Sequence, residues 1–370
     1  MKNADQVSRR DFFKQAGVLA GAAAVAGAGV SRAEAAGVSG GPAVRRLGKT
    51  NLNIPVVSLG TGPGQEVNVM KYAIAQGMNF IHTSVTYKGG RAINNVAEAI
   101  KGQRDKIVLG LKITWDPDDD AAMDAALEKL GVDHVDVAFF NIHKEAEVSD
   151  PAYRRGAERW INQGKFNSIG LTSHRETAGC MKAALKEGFY DVLMPSYNIT
   201  MEEEFKPIFE QAQKDDIGIV LMKTKKGIGG DAYYDAIPQY LNTGGVTTIN
   251  KGVESFQEIK AMLDATQRPA DEAVARRVRE AARVGMAGHC TMCGACQNEC
   301  PQGLPVADVV RCSDYYMEHP AYVETAFETY RELVSRPAAS VCGTCDRCES
   351  VCPNGVPIAH HIRRAENVLA

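Results

Sequence analysis

From Val44 to about Thr266 the chain repeats one rhythm: a short run rich in β-branched residues, a turn, then, in most units, apolar residues at helical spacing. The runs are Val56 to Gly60, Asn79 to Ser84, Lys106 to Lys112, Val135 to Asn141, Phe166 to Thr172, Val192 to Tyr197, Gly218 to Lys223 and Val246 to Lys251. Helical patterns such as Ala121, Asp124, Ala125, Leu127 and Leu130, or Cys180, Ala183 and Ala184, lie between them. The connection between the seventh and eighth runs is the weak one, carrying Gly227, Gly229, Gly230 and Pro238. Strands that alternate with helices must be parallel, because each crossover returns the chain to the same end of the sheet. Eight such units predict an α/β protein built on a (β/α)8 TIM barrel. A doubly wound open sheet is the competing fold. It would be unusually long, and Gly60-Thr61-Gly62-Pro63-Gly64, the nearest match to a dinucleotide turn, lacks the third glycine at the required spacing.

Barrel chemistry gathers at the C-terminal ends of the strands. In chain order those ends carry His82 and Tyr87, Lys112, Asn141 and His143, Ser173 and His174, Tyr197 and Asn198, and Lys223 to Lys226. His82, His143 and His174 are of the type that binds zinc or iron, but they lack a close ligand spacing and serve equally well as hydrogen-bonding groups lining a mouth.

At these positions a resemblance becomes specific. The segments GMNFIHTSVTY (Gly77 to Tyr87), KIVLGLK ending at Lys112 and HVDVAFFN ending at Asn141 resemble the aldo/keto reductase family. So do RRLGKTNLNIPVVSLG (Arg45 to Gly60), GLTSH ending at His174 and SYN ending at Asn198. The resemblance covers the barrel, residues 44–270, and implies carbonyl reduction with a nicotinamide cofactor, NAD(P)H. The family's proton-donating Tyr and its Lys fall on Tyr87 and Lys112. Its Asp is replaced by His82 and its His by Asn141, so two of the four catalytic positions are changed. Ser173, His174, Asn198 and Lys251 are the positions the resemblance assigns to the cofactor.

The substitutions have physical consequences. Without a carboxylate partner Lys112 presents a less neutralised charge, which is expected to depress the Tyr87 pKa. His82 is expected to stay neutral beside Lys112, and Asn141 can donate a hydrogen bond but no proton.

Of the ten cysteines, eight fall in two short windows. Cys290, Cys293, Cys296 and Cys300 are followed by Pro301, and Cys342, Cys345, Cys348 and Cys352 by Pro353. Each window reads C-x2-C-x2-C-x3-C-P, an iron–sulfur ligation run in which the fourth cysteine reaches the other cluster. Two [4Fe-4S] clusters are expected. Disulfides have no reason to repeat this spacing twice, and structural zinc favours two separated pairs. Cys180, on an apolar helix face, and Cys312, between the windows, are read as buried core thiols. The intervening chain has helical patterns over 307–316 and 322–334, so residues 285–370 are expected to form a small, mainly helical ferredoxin-like module. This tail resembles the ferredoxin extension found on a subset of aldo/keto reductase-like proteins.

Residues 1–36 read as an export signal: SRRDFFK from Ser8, an uncharged stretch from Gln15 to Val30, and the small-x-small site Ala33-Glu34-Ala35. The pair Arg9-Arg10 with Phe12 and Lys14 resembles a twin-arginine signal, which carries folded proteins across the membrane. The stretch is shorter than the roughly 20 residues of a spanning helix, so no membrane span is expected after cleavage. A net charge of −3 argues against nucleic acid as a partner. Cluster assembly needs reduced thiolates, so folded export and a cluster module explain each other. Together these features predict a periplasmic iron–sulfur oxidoreductase. It would relay electrons through two clusters between a redox partner protein or membrane electron carrier and a small carbonyl or alcohol substrate at the barrel mouth. The alternative is a non-enzymatic electron-transfer subunit that uses the barrel as a docking scaffold.

Overall fold

The computed structural model describes residues 41–62, 66–318, 320–334, 342 and 345–370. The expected export signal and the Pro63-Gly64 part of the first glycine turn lie outside them. An antiparallel hairpin, β1 (Val44–Arg46) and β2 (Asn53–Pro55), precedes eight parallel strands. These are β3 (Val57–Gly60), β4 (Phe80–Ser84), β5 (Val108–Ile113), β6 (Val137–Asn141), β7 (Ser168–Ser173), β8 (Val192–Pro195), β9 (Gly218–Leu221) and β10 (Val246–Lys251). Each pairs with the next, and β10 returns to β3, closing the barrel. The open-sheet alternative is thereby excluded.

The crossovers are α1 (Val67–Ala75), α2 (Arg91–Ile100), α3 (Asp120–Leu130), α4 (Pro151–Asn162), α5 (Thr177–Glu187), α6 (Glu202–Lys214), α7 (Ala232–Asn242) and α8 (Phe256–Thr266). Their starts are written locally: the Asp119 carboxylate accepts from the Ala122 amide, Asp150 caps a helix with Pro151 in its first turn, and Ser255 accepts from Glu258. The weak seventh connection is nonetheless helical, with Pro238 inside α7.

Inside the barrel a compact plug forms around Phe80, Phe139, Val192, Met194 and Val220, with Leu47 and Ile54 of the hairpin sealing one end. Phe139 dictates its neighbours: a Cβ at Gly170 would lie 2.3 Å from its ring, and one at Gly110 2.9 Å. Only glycine leaves room for that ring at both positions.

Beyond the barrel, α9 (Glu272–Met286) buries Ala275, Val278, Ala282 and Met286, and Gly285 packs against the backbone of Gly227. The sequence pattern had left this stretch unassigned between the two expected domains. The C-terminal module follows, with α10 (Val306–Glu318), α11 (Val323–Leu333), α12 (Arg347–Ser350) and α13 (Ile358–Leu369) around a small separate core. Among the described residues no helix is long and apolar enough to cross a membrane.

Candidate functional site

The cysteines line two pockets of nearly equal size. The first is lined by Cys290, Cys293 and Cys296 together with Cys352 from the other window. The second takes Cys342, Cys345 and Cys348 together with Cys300. Each window therefore gives three thiols to one pocket and its fourth to the other, the crossed arrangement that the spacing predicts. Ile358 lines both pockets, so they lie back to back.

The donor chemistry fits iron–sulfur clusters. All ten cysteines are unpaired, and among the described residues no three His, Cys, Asp or Glu side chains converge as a single ion would require. Thiols spread around a wall suit a cube better than one zinc ion. The Met292 amide donates to Cys290 Sγ at 3.4 Å and the Val356 amide to Cys352 Sγ at 3.4 Å. Burial and the neighbouring thiols push Cys296 up to about 12 and Cys348 up to about 11, so thiolate here needs a cationic partner. Cys180 and Cys312 are fully buried elsewhere.

At the C-terminal end of the barrel the strand ends bring together His82, Lys112, Asn141, His143 and His174. Lys112 is almost fully buried; burial, Arg311 and Lys223 bring its pKa down to about 7. Its Nζ lies 5.0 Å from the centroid of the Tyr87 ring. The expectation that Lys112 would depress Tyr87 is corrected: burial dominates and pushes the phenol up to about 12, against the opposing charges of Lys223 and Arg311.

His82 is held neutral, its pKa brought down to about 3 by burial first and Lys112 second, and its Nε2 has no hydrogen-bond partner. The Asn141 amide meets His143 Nε2 at 3.1 Å, and His143 Nδ1 accepts from the His174 amide at 3.3 Å. A neutral imidazole that accepts at Nδ1 carries its proton on Nε2, so the Asn141 oxygen belongs toward His143. Turning the amide in this way exchanges it with Oδ1, the Asn141 atom without a partner, and presents the NH2 group to the mouth. Both nitrogens of His143 are thus committed to neighbours within the mouth.

The remaining cofactor positions have partners within the protein. Ser173 Oγ donates to the Arg175 carbonyl at 2.7 Å, and Asn198 Oδ1 accepts from the Thr200 amide at 2.9 Å, capping a short helical turn. Lys251 pairs with Glu258 and donates to the Gly252 carbonyl at 2.6 Å. His174 lies in the mouth, 5.8 Å from His143 ring to ring, its pKa well below the ordinary value because of burial and then Lys112 and Lys223.

The module supplies residues to this mouth that the sequence did not single out. Asp308, Arg311 and Tyr315 recur at helical spacing on one face of α10. Asp308, nearly fully buried, pairs with Arg175 of the barrel at 2.5 Å and with Arg311 at 3.0 Å. Lys223, just beyond β9, donates to the Tyr315 hydroxyl at 2.8 Å. Lys226 donates to the Cys290 carbonyl, a Cβ at Gly294 would touch Glu176, and Arg91 pairs with Glu324 of α11. The adjoining face of α10 carries Ala307 and Val310, which line the Cys290 pocket. One helix is therefore wall to a cysteine pocket and cover to the barrel mouth.

Comparison with known proteins agrees with both halves. Residues 58–230 match the model of the Aldo/keto reductase family, and residues 286–356 that of the 4Fe-4S dicluster domain. The chain is thus aldo/keto reductase-like, with a 4Fe-4S dicluster domain at its C-terminus.

Among individual proteins, an uncharacterized oxidoreductase of Bacillus subtilis, YqkF, is 25% identical over 193 residues. That match covers 46% of this chain and 61% of the relative, so the chain spans less than two thirds of the relative's length. The holo form of an aldo-keto reductase from Bacillus halodurans superposes with a TM-score of 0.56 at 19% identity, covering 65% of this chain and 96% of that one. An aldo-keto reductase from Klebsiella pneumoniae, solved with NADPH, gives 0.55 at 16% identity, covering 65% and 94%. At these identities the solved structures establish the barrel fold.

Proposed function

We propose that this protein is an exported iron–sulfur oxidoreductase in which electrons pass through two [4Fe-4S] clusters between an external redox partner and a carbonyl or alcohol substrate at the barrel mouth. The observation that carries this reading is α10, which touches the Cys290 pocket with Ala307 and Val310 and the mouth with Arg311 and Tyr315. A helix is only about 10 Å thick, so electrons arriving at that pocket are close to the mouth. When bound, the clusters supply single electrons.

The chain's own residues do the rest. Lys112, with its pKa near 7, exchanges protons at neutral pH. Asn141 presents an N–H donor to a substrate oxygen, and neutral His82 and His174 add polar contacts without adding charge. The Tyr87 ring lies over the Lys112 ammonium. Cys290 and Gly294 abut the barrel, which makes their pocket the inner one; the Cys300 and Cys342 pocket is then the outer one, nearer the partner.

The aldo-keto reductase of Klebsiella pneumoniae solved with NADPH suggests nicotinamide as the other electron source. Here Ser173, Asn198 and Lys251 are engaged within the protein, which favours delivery through the module. The Arg9-Arg10 leader favours the periplasm, where a partner protein or membrane carrier supplies or removes electrons.

The test is anaerobic titration of the purified holoprotein, following the cluster absorbance. Dithionite is expected to bleach it, NADPH and NADH to leave it, and members of a panel of small aldehydes and ketones to restore it. Bleaching by stoichiometric NADPH would make the barrel a hydride acceptor instead. Failure of every carbonyl to restore the colour would favour the docking scaffold.

A further inference from the structure

Two tyrosine–lysine pairs occupy the barrel mouth, and they differ in geometry. In the pair made within the barrel, Lys112 Nζ stands over the face of Tyr87, 5.0 Å from its centroid. In the pair made across the seam, Lys223 Nζ donates directly to the Tyr315 hydroxyl at 2.8 Å. Lys223 is held in the left-handed region, at φ 61°, a conformation that a non-glycine residue keeps only where its surroundings impose it. It also lies 5.2 Å from the Tyr315 ring and 5.3 Å from the Tyr322 ring, which themselves pack at 4.8 Å. Arg311, one turn earlier on α10, stands 5.9 Å from the Tyr315 ring, and Asp308 fixes it in place.

We propose that Tyr315, contributed by the cluster-binding module, is the tyrosine that delivers a proton at the barrel mouth, with Lys223 and Arg311 holding the phenolate it leaves. This rests on the reading that an oxygen-bearing substrate is reduced there. In the step, the Tyr315 O–H bond breaks and an O–H bond forms on the substrate oxygen. The electron pair stays on Oη, and solvent returns the proton afterwards. Reduction of a carbonyl takes two electrons and two protons in all: the electrons arrive one at a time from the one-electron donor, and the second proton, which forms the C–H bond, comes from the Lys112 ammonium.

The charged and titratable groups around Tyr315 are Lys223 and Lys226 from the loop after β9, Arg311 on its own helix, Tyr322 from the turn before α11, and Tyr87 from the loop after β4. Burial alone would raise the phenol. Lys223, Arg311, the Lys223 hydrogen bond and Lys226 outweigh it and lower the Tyr315 pKa, the opposite of the Tyr87 shift. Placing this donor on the module makes barrel chemistry dependent on a docked cluster domain.

The experiment is near-ultraviolet difference titration of tyrosinate in the holoprotein and in Tyr315→Phe, Tyr87→Phe and Lys223→Met variants. Because Tyr315→Phe keeps the ring, the seam stays packed. One tyrosine is expected to ionise ahead of the ordinary value of about 10. That phase should vanish in Tyr315→Phe, persist in Tyr87→Phe and move to higher pH in Lys223→Met. In the carbonyl assay, Tyr315→Phe should slow recovery of the cluster colour by at least about tenfold while dithionite reduction is unchanged. An early phase that is missing from the native protein, survives Tyr315→Phe or disappears in Tyr87→Phe overturns the proposal, as does unimpaired recovery in Tyr315→Phe. Failure of the reductase reading looks different: native protein recovers no colour with any carbonyl, whatever the titration gives.

Discussion

The barrel and the module bury their interiors in different ways. Between its strands and helices, and again inside the sheet, the barrel packs aliphatic and aromatic side chains such as Trp160, Phe140 and Phe166. Its backbone is closed by an unbroken ring of parallel pairing. In the module, short helices surround a much smaller core, and Cys290, Cys300, Cys342, Cys348 and Cys352 pack against it from the edges of the two pockets. A core of that size contributes little on its own, and small domains commonly draw the remainder from bound metal. The barrel is a scaffold complete in itself, whereas the module is tied to what its cysteines hold.

The largest effect that this contrast predicts follows removal of the metal. Stripping iron with a chelator under anaerobic conditions should abolish hydrogen-exchange protection in α10, α11 and α13 while leaving β3 to β10 protected. Equal loss in both regions, or none in either, would break the comparison.

A smaller effect is expected where the two regions meet. Asp308 is the carboxylate shared by Arg175 and Arg311, and Asp308→Ala leaves both guanidiniums in the seam without it. Breaking such a buried pair costs on the order of 3–5 kcal/mol, and the partial exposure of both arginines puts this site at or below the low end of that range. Limited proteolysis should then cut faster between the barrel and the module, with the barrel core still resistant. Unchanged cleavage would mean that the seam is held by something else.

The smallest effect per side chain is one of acidity, and it belongs to the barrel. Burial, assisted by the charge of Lys112, keeps His82 at about 3; burial, Arg175 and Lys112 do the same for His143. In the unfolded chain both take up a proton near the ordinary value of about 6.5. The unfolded state then binds more protons between about 3 and 6.5, so stability is complete above that window and is lost as pH falls through it. At pH about 5 each histidine should have cost about 2 kcal/mol. The melting temperature of the barrel should therefore fall from pH about 7.5 to about 5, and less steeply in His82→Gln. A flat profile would contradict the buried neutral state.

The same division runs through what could be read from the sequence. The eight β-branched runs coincide with the strands to within two residues at either end, because hydrophobic period and turn chemistry are local. The crossed placement of the cysteines around two pockets was equally legible, since ligand spacing is itself a local pattern. The seam was not. Tyr315, Arg311 and Asp308 sit on a helix recognised only by its apolar period, and nothing in that period says which polar face turns toward the barrel. The clue available was three polar or aromatic residues in register beside an apolar face, opposite the lysine-rich turn after the seventh strand. Most of helix α9 falls between the expected domains, 44–270 and 285–370, although Ala275, Val278 and Ala282 carry the helical interval. Tyr87 was misjudged because a neighbouring charge is visible in sequence, while the burial that outweighs it arises only on folding.

The central claim is that two clusters are bound by exchanged cysteines, with the Cys290 pocket against the barrel. Electron paramagnetic resonance of dithionite-reduced Cys300→Ala, set beside Cys293→Ala and Cys345→Ala, tests it most directly. Native protein should carry about eight irons per chain. The Cys300→Ala spectrum should match that of Cys345→Ala, because both disturb the pocket of Cys342, Cys345 and Cys348. A match to Cys293→Ala instead, or native protein with only about four irons, would contradict the account.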